Sequence, residues 1–126
     1  MLGYVMVGTN DLAKAAQFYD KLFAELGLKR EMESDKFILW NMGEGNTSFS
    51  ISEPYDGKPA TIGNGSMNAI HLNSNEQVDK LYALAIELGG TCEGGPGKRA
   101  YDEKFYAAYF RDLDGNKLNF FHYPMG

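Results

Sequence analysis

The spacing of apolar residues along the chain switches between two and three-to-four, and glycine, proline or helix-capping residues mark each switch. Leu2 to Val7 alternates as a half-buried strand. Thr9-Asn10-Asp11 then offers caps to a helix reaching about Leu26, whose Leu12, Ala15, Ala16, Tyr19, Leu22 and Phe23 form one wide apolar face. Gly27 is its stop signal. Three extended segments follow, near Lys29–Met32, Lys36–Met42 and Ser48–Glu53, the second turning into the third at Gly43-Glu44-Gly45-Asn46. Pro54, Gly57, Pro59, Gly63 and Gly65 mark a long loop at mid-chain.

The same order then recurs. A strand is predicted over Asn68–Leu72, caps at Asn73-Ser74-Asn75, and a helix from about Glu76 to Leu88 with Val78, Leu81, Tyr82, Leu84 and Ala85 inward, stopped by Gly89-Gly90. A short strand near Thr91–Glu93, a loop over Gly94–Lys104 and a hairpin from Phe105 to Tyr123 complete the pattern, with DLDGN reversing the hairpin. A shift of 63 residues lays Ala15 on Val78, Phe18-Tyr19 on Leu81-Tyr82 and Gly27 on Gly90. The chain reads as two copies of one βαβββ unit, the first over about 1–56 and the second over about 67–126, within one domain.

Composition narrows the function. The formal charge is −5 and the basic residues are scattered, which argues against a nucleic-acid partner. Cys92 is the only cysteine, so no intrachain disulfide can form, and it reads as an inert core or loop residue. No stretch reaches membrane-spanning length and no leader pattern follows Met1, so the expectation is a cytoplasmic protein without a membrane partner.

The two βαβββ units, the segment NDLAKAAQFYDKLFAELGL and the closing YAAYFRDLDGNKLNFF together resemble the vicinal oxygen chelate superfamily, which includes glyoxalase I, bleomycin-resistance proteins and extradiol dioxygenases. SNEQVDKLYALAIELGGTCEGGPGKR is similar to its small glyoxalase-like branch. The resemblance implies an α+β fold, paired modules making a curved mixed sheet as a cup with helices on its outer face, and a homodimer. It also implies a divalent metal in many members, held by His or Glu on inward strand positions. Those positions fall here on Tyr4, Ser50 or Ser52, Met67 or Ala69, and Asn119, none of which is a usual ligand, so no metal or other cofactor is expected.

Alternation anchored on the same positions sets Tyr4, Met6, Ser48, Ser50, Ser52, Met67, Ala69, His71, Tyr109, Arg111, Asn119 and Phe121 on the concave face. Val5, Val7, Phe49, Ile51, Ile70, Leu72, Phe110, Leu118 and Phe120 then turn toward the helices. Tyr4, Ser50, Met67, His71, Tyr109, Arg111, Asn119 and Phe121 are the expected ligand contacts, a mixture of apolar wall and polar anchors suited to a small organic molecule. Two plainer readings stand beside this: His71 bonded within the sheet, and Arg111 paired with Asp112 or Asp114. Trp40 fits either a pocket wall or the core, and Lys98 or Arg99 an anion contact. The leading functional expectation is metal-independent binding of a planar or anionic molecule. The alternatives are a lyase or isomerase of the lactoylglutathione lyase type, with His71 as general base and Arg111 as oxyanion partner, and a non-catalytic interaction module.

Overall fold

Each half of the chain is built on one amphipathic helix. In the first half the Asp11 carboxylate accepts the Lys14 N–H at 3.1 Å and caps α1 (Leu12–Ala24). At its other end Gly27 takes φ of +71° and Leu28 N–H reaches back to the Phe23 carbonyl at 2.9 Å. In the second half Ser74 Oγ accepts the Gln77 N–H at 3.1 Å while Gln77 Oε1 accepts the Asn73 N–H at 2.9 Å, a reciprocal cap on α2 (Asn75–Glu87).

The computed structural model describes residues 1–100 and 102–124 and divides into unit 1, Met1–Ile62, and unit 2, Gly63–Gly126. Unit 1 holds β1 (Tyr4–Gly8), α1, β2 (Arg30–Glu33), β3 (Phe37–Trp40) and β4 (Ser48–Ser52) in one sheet of order β1-β4-β3-β2. Unit 2 holds β5 (Asn68–His71), α2, β6 (Thr91–Arg99), β7 (Asp102–Arg111) and β8 (Lys117–His122) in order β5-β8-β7-β6. In both, the first strand runs parallel to the last and the other pairs are antiparallel. Each unit is therefore a βαβββ module with an open mixed sheet, and the fold is α+β as expected.

Register fixes the faces. Val5 lies against Phe49, Val7 against Ile51, Ile38 against Ile51 and Trp40 against Phe49, so these residues share the α1 side of their sheet. Tyr19 and Phe23 of α1 meet Trp40 and Phe49 with ring centroids 4.9–5.8 Å apart, in the range of favourable aromatic packing. Trp40 is fully buried and donates its indole N–H to Asp20 at 3.0 Å, which places it in the core. Arg30 grips the same carboxylate at 2.6 and 3.0 Å. In unit 2, Val78, Leu81 and Ala85 of α2 are buried, as are Phe110, Leu118 and Phe120 of the sheet. Val5, Val7 and Ile70 are only half-buried because they sit on edge strands with no neighbour on one side.

Three expectations need correction. The segment read as a Gly94–Lys104 loop is strand: β6 continues to Arg99 and β7 begins at Asp102, the pairing interrupted by irregularities at Cys92/Gly94, Gly94/Gly97 and Lys98/Arg99 that accommodate the glycines; Tyr101 lies outside the described residues. The counterpart of Gly27 is Gly89, with φ of +108°, and the closing bond is Gly90 N–H to the Ala85 carbonyl at 2.9 Å. Cys92 is exposed on β6, and the Tyr82 hydroxyl and Gly94 N–H bound to it draw its thiol below the ordinary range.

Candidate functional site

The faces turned away from the helices hold the candidate residues. In unit 1, Tyr4 pairs with Ser48, Met6 and Leu39 each with Ser50, and Phe37 with Ser52, so all of these share one face. Its side chains wall a cavity of about 420 Å³ lined by Tyr4, Met6, Met32, Phe37, Leu39 and Ser52, with Lys36, Glu53 and Tyr55 also contributing. This size and its mainly apolar wall suit a small organic ligand. Tyr4 and Met6, at 58% and 50% exposure, stand open. Ser50 does not: it is fully buried and donates its hydroxyl to the Val5 carbonyl at 2.8 Å.

Reading the sequence missed Met32, Phe37, Leu39 and Tyr55 as wall residues. In FILW all four positions are apolar, so alternation could not show which of them leave the core, and β2 has a register shift between Arg30 and Met32.

In unit 2, Ala69 and Tyr109 pair with Asn119, and His71 and Ala107 with Phe121, confirming one common face. The His71 ring stacks on Phe121 at 4.8 Å and 12°, and Phe105 lies 5.3 Å from the same ring. At the sheet edge His71 Nε2 is 3.2 Å from the Tyr123 carbonyl oxygen and 3.4 Å from the Tyr123 backbone nitrogen, so its ring meets the backbone there while stacking on Phe121. Arg111 donates to Glu93 at 2.6 Å and to the Gly115 carbonyl at 2.9 Å, and this guanidinium lowers the Glu93 pKa. Asp112 accepts the Asp114 and Asn116 backbone N–H groups, each at 2.9 Å, and shapes the hairpin turn. Tyr109 is flanked by the Arg99 guanidinium at 5.0 Å and the Lys117 ammonium at 5.6 Å. Asn119 is buried, and Met67 is 44% exposed.

The positions that the resemblance assigns to metal ligands present a phenol at Tyr4, a hydroxyl already spent at Ser50, a thioether at Met67 and an amide at Asn119. This donor set does not fit a glyoxalase-type centre. Among the described residues, no group of three or more His, Cys, Asp or Glu side chains is placed to hold an ion. Among them, too, no helix is long and apolar enough to cross a membrane.

Two βαβββ modules, each turning one sheet face outward from its helix, define an α+β chain of the paired-module class. Residues 1–120 match the model of the Glyoxalase/Bleomycin resistance protein/Dioxygenase superfamily, and the chain belongs to that family. It is 41% identical to a glyoxalase/bleomycin resistance protein from Albidiferax ferrireducens T118, with a TM-score of 0.88 over 98% of this chain and 99% of that one. A hypothetical protein from S. aureus is 30% identical, with a TM-score of 0.72 over 94% of each chain. Lactoylglutathione lyase from Agrobacterium tumefaciens, at 17% identity and a TM-score of 0.70 over 97% of this chain and 92% of that one, shares the fold alone. No curated protein matches the chain.

Proposed function

We propose that the chain binds a small, largely apolar planar molecule without a resident metal and without turning it over. The observation that carries this reading is the unit 1 cavity of about 420 Å³, with Tyr4 and Phe37 as flat walls and Met6 and Met32 as adaptable ones. A ligand burying roughly 150 Å² of apolar surface there gains about 4 kcal/mol before the costs of association. Support for binding without reaction comes from the groups that a lyase would need: Arg111 is held by Glu93, and His71 by the backbone of Tyr123.

Calorimetry with a panel of planar aromatic compounds, beside elemental analysis of the purified protein, tests the reading. The expected result is saturable binding of an aromatic probe at one site per chain, recovery of the probe unchanged, and weakening by about fivefold in Met6→Ala. Conversion of the methylglyoxal–thiol hemithioacetal, or a stoichiometric divalent metal, overturns it in favour of the lyase. Absence of saturable binding across the panel overturns it in favour of an interaction module.

A further inference from the structure

We infer that unit 2 carries an anion site for the carboxylate end of a small organic molecule, formed by Arg99, Lys117 and Asn119 around Tyr109. The site goes beyond the proposed unit 1 cavity, lies wholly within unit 2, and stands even if that cavity binds nothing.

The Arg99 guanidinium lies against the glycines of β6, at ordinary contact distance from where a Cβ would stand. Arg99 folds back over its own strand, so that a Cβ added at Gly94 would come within 3.7 Å of its Nη2 and 3.6 Å of Tyr109 Cδ1, and one at Gly97 within 3.9 Å of its Nη1. Nη2 donates to the Gly95 carbonyl at 3.0 Å and to the Ala107 carbonyl at 2.7 Å. The guanidinium is thus anchored through one nitrogen, while its Nε–H is buried and meets no acceptor among the described residues.

Directly across the strand pair from Tyr109 lies Asn119, 1% exposed, whose Oδ1 also lacks a partner among the described residues. Buried polar groups are nearly always paired in native proteins, so two orphans on one sheet face need an explanation. The amide can turn to present either oxygen or NH₂, and with NH₂ forward both groups donate.

Charge selects what they would donate to. Arg99 and Lys117 both approach the Tyr109 ring, whose quadrupole attracts cations without neutralising them; Glu93 is bonded to Arg111 and acts on Lys117 through space, so one carboxylate faces three cations and the cluster keeps a positive excess. A carboxylate is planar, carries the missing charge and matches the guanidinium fork with both oxygens. Entry opens the fork: the Gly95 bond is exposed and the Ala107 bond part-buried, so Arg99 releases Gly95 and swings while keeping Ala107.

The test is an NMR titration of the isotope-labelled full chain with sodium benzoate, benzamide and inorganic phosphate, following the Arg99 Nε–H and Asn119 amide resonances. Benzoate should move both saturably and bind at least about tenfold tighter than benzamide, its neutral match. Arg99→Gln should cost about tenfold in benzoate affinity, with Arg99→Lys recovering only part because the fork is lost. Lys117→Gln, which removes no hydrogen bond to the backbone, should cost about threefold and so tests the charge without disturbing β6. Equal binding of benzamide, tighter binding of phosphate, or unchanged benzoate affinity in Lys117→Gln and Arg99→Gln overturns the assignment. Benzamide or benzoate shifts confined to Tyr4 and Met6 would locate the ligand in unit 1, supporting the cavity while removing this site.

Discussion

Ser50 separates a residue that builds the open face from one that serves it. Its hydroxyl is inaccessible and gives its proton to the Val5 carbonyl at 2.8 Å, tying β4 to edge strand β1 beside the cavity wall. Ser50→Ala removes that bond while leaving a methyl-sized group in a packed position. The loss is one neutral hydrogen bond, about 1 kcal/mol and at most about 1.5. In a chain of 126 residues this lowers Tm by about 3–5 °C. Affinity for an aromatic probe should stay within about twofold, because no ligand atom can touch the hydroxyl. Met6→Ala, at the paired position on β1, supplies the opposite pattern: half-exposed, it costs little stability and weakens probe binding. Thermal unfolding by circular dichroism and calorimetric titration of both variants give the comparison. A Ser50→Ala protein that keeps its Tm but loses tenfold in affinity would refute the reasoning and return Ser50 to the ligand.

Two further predictions concern the scaffold. Gly90→Ala would put a Cβ 2.8 Å from the Ala85 carbonyl oxygen and 3.0 Å from that of Arg111, both backbone, so it should cost about 2–3 kcal/mol in urea unfolding. Gly27→Ala, where only the φ of +71° opposes a side chain, should cost about 1 kcal/mol; losses in the reverse order would contradict the assigned roles. For Asp20, burial raises the pKa, but the bonds from Arg30 and Trp40 and the Arg30 charge outweigh it and hold the carboxyl below 3.8. Its stabilising contribution is therefore complete above about pH 4 and lost as pH falls through the depressed value, so Asp20→Asn should flatten the acid limb of stability against pH. An unchanged acid limb in that variant would sink the assignment.

Where one residue type alternated with another, the sequence disclosed the structure. YVMVG, SFSIS and KLNFFH place Phe49, Ile51, Leu118 and Phe120 inward because their neighbours are polar or lie opposite in a clear period. Both helices were legible from cap, apolar stripe and glycine stop. Uniformly apolar FILW hid Phe37 and Leu39 of the cavity wall, since apolar residues on both faces leave no contrast to read. The glycine-rich TCEGGPGKR looked like loop because strand propensity is low there; long-range pairing with β7 overrode it. Arg99 was legible as an anion contact alongside Lys98, but its placement over Tyr109 exists only once that pairing forms. Ser50 lay on the expected face, but no local pattern reveals that a hydroxyl is committed to the backbone of a strand distant in sequence.

The burial of Trp40 has an optical consequence. It is the only indole in the chain, it belongs to unit 1, and rings from α1 and β4 enclose it. Unfolding followed by its emission reports the solvation of that one core, while tyrosine absorbance and backbone dichroism draw on both units. The chain thus contains an indole fluorophore, separately excitable beyond the tyrosine band, on one member of its repeat and none on the other, so the timing of their collapse can be compared in a single cuvette without attaching a label.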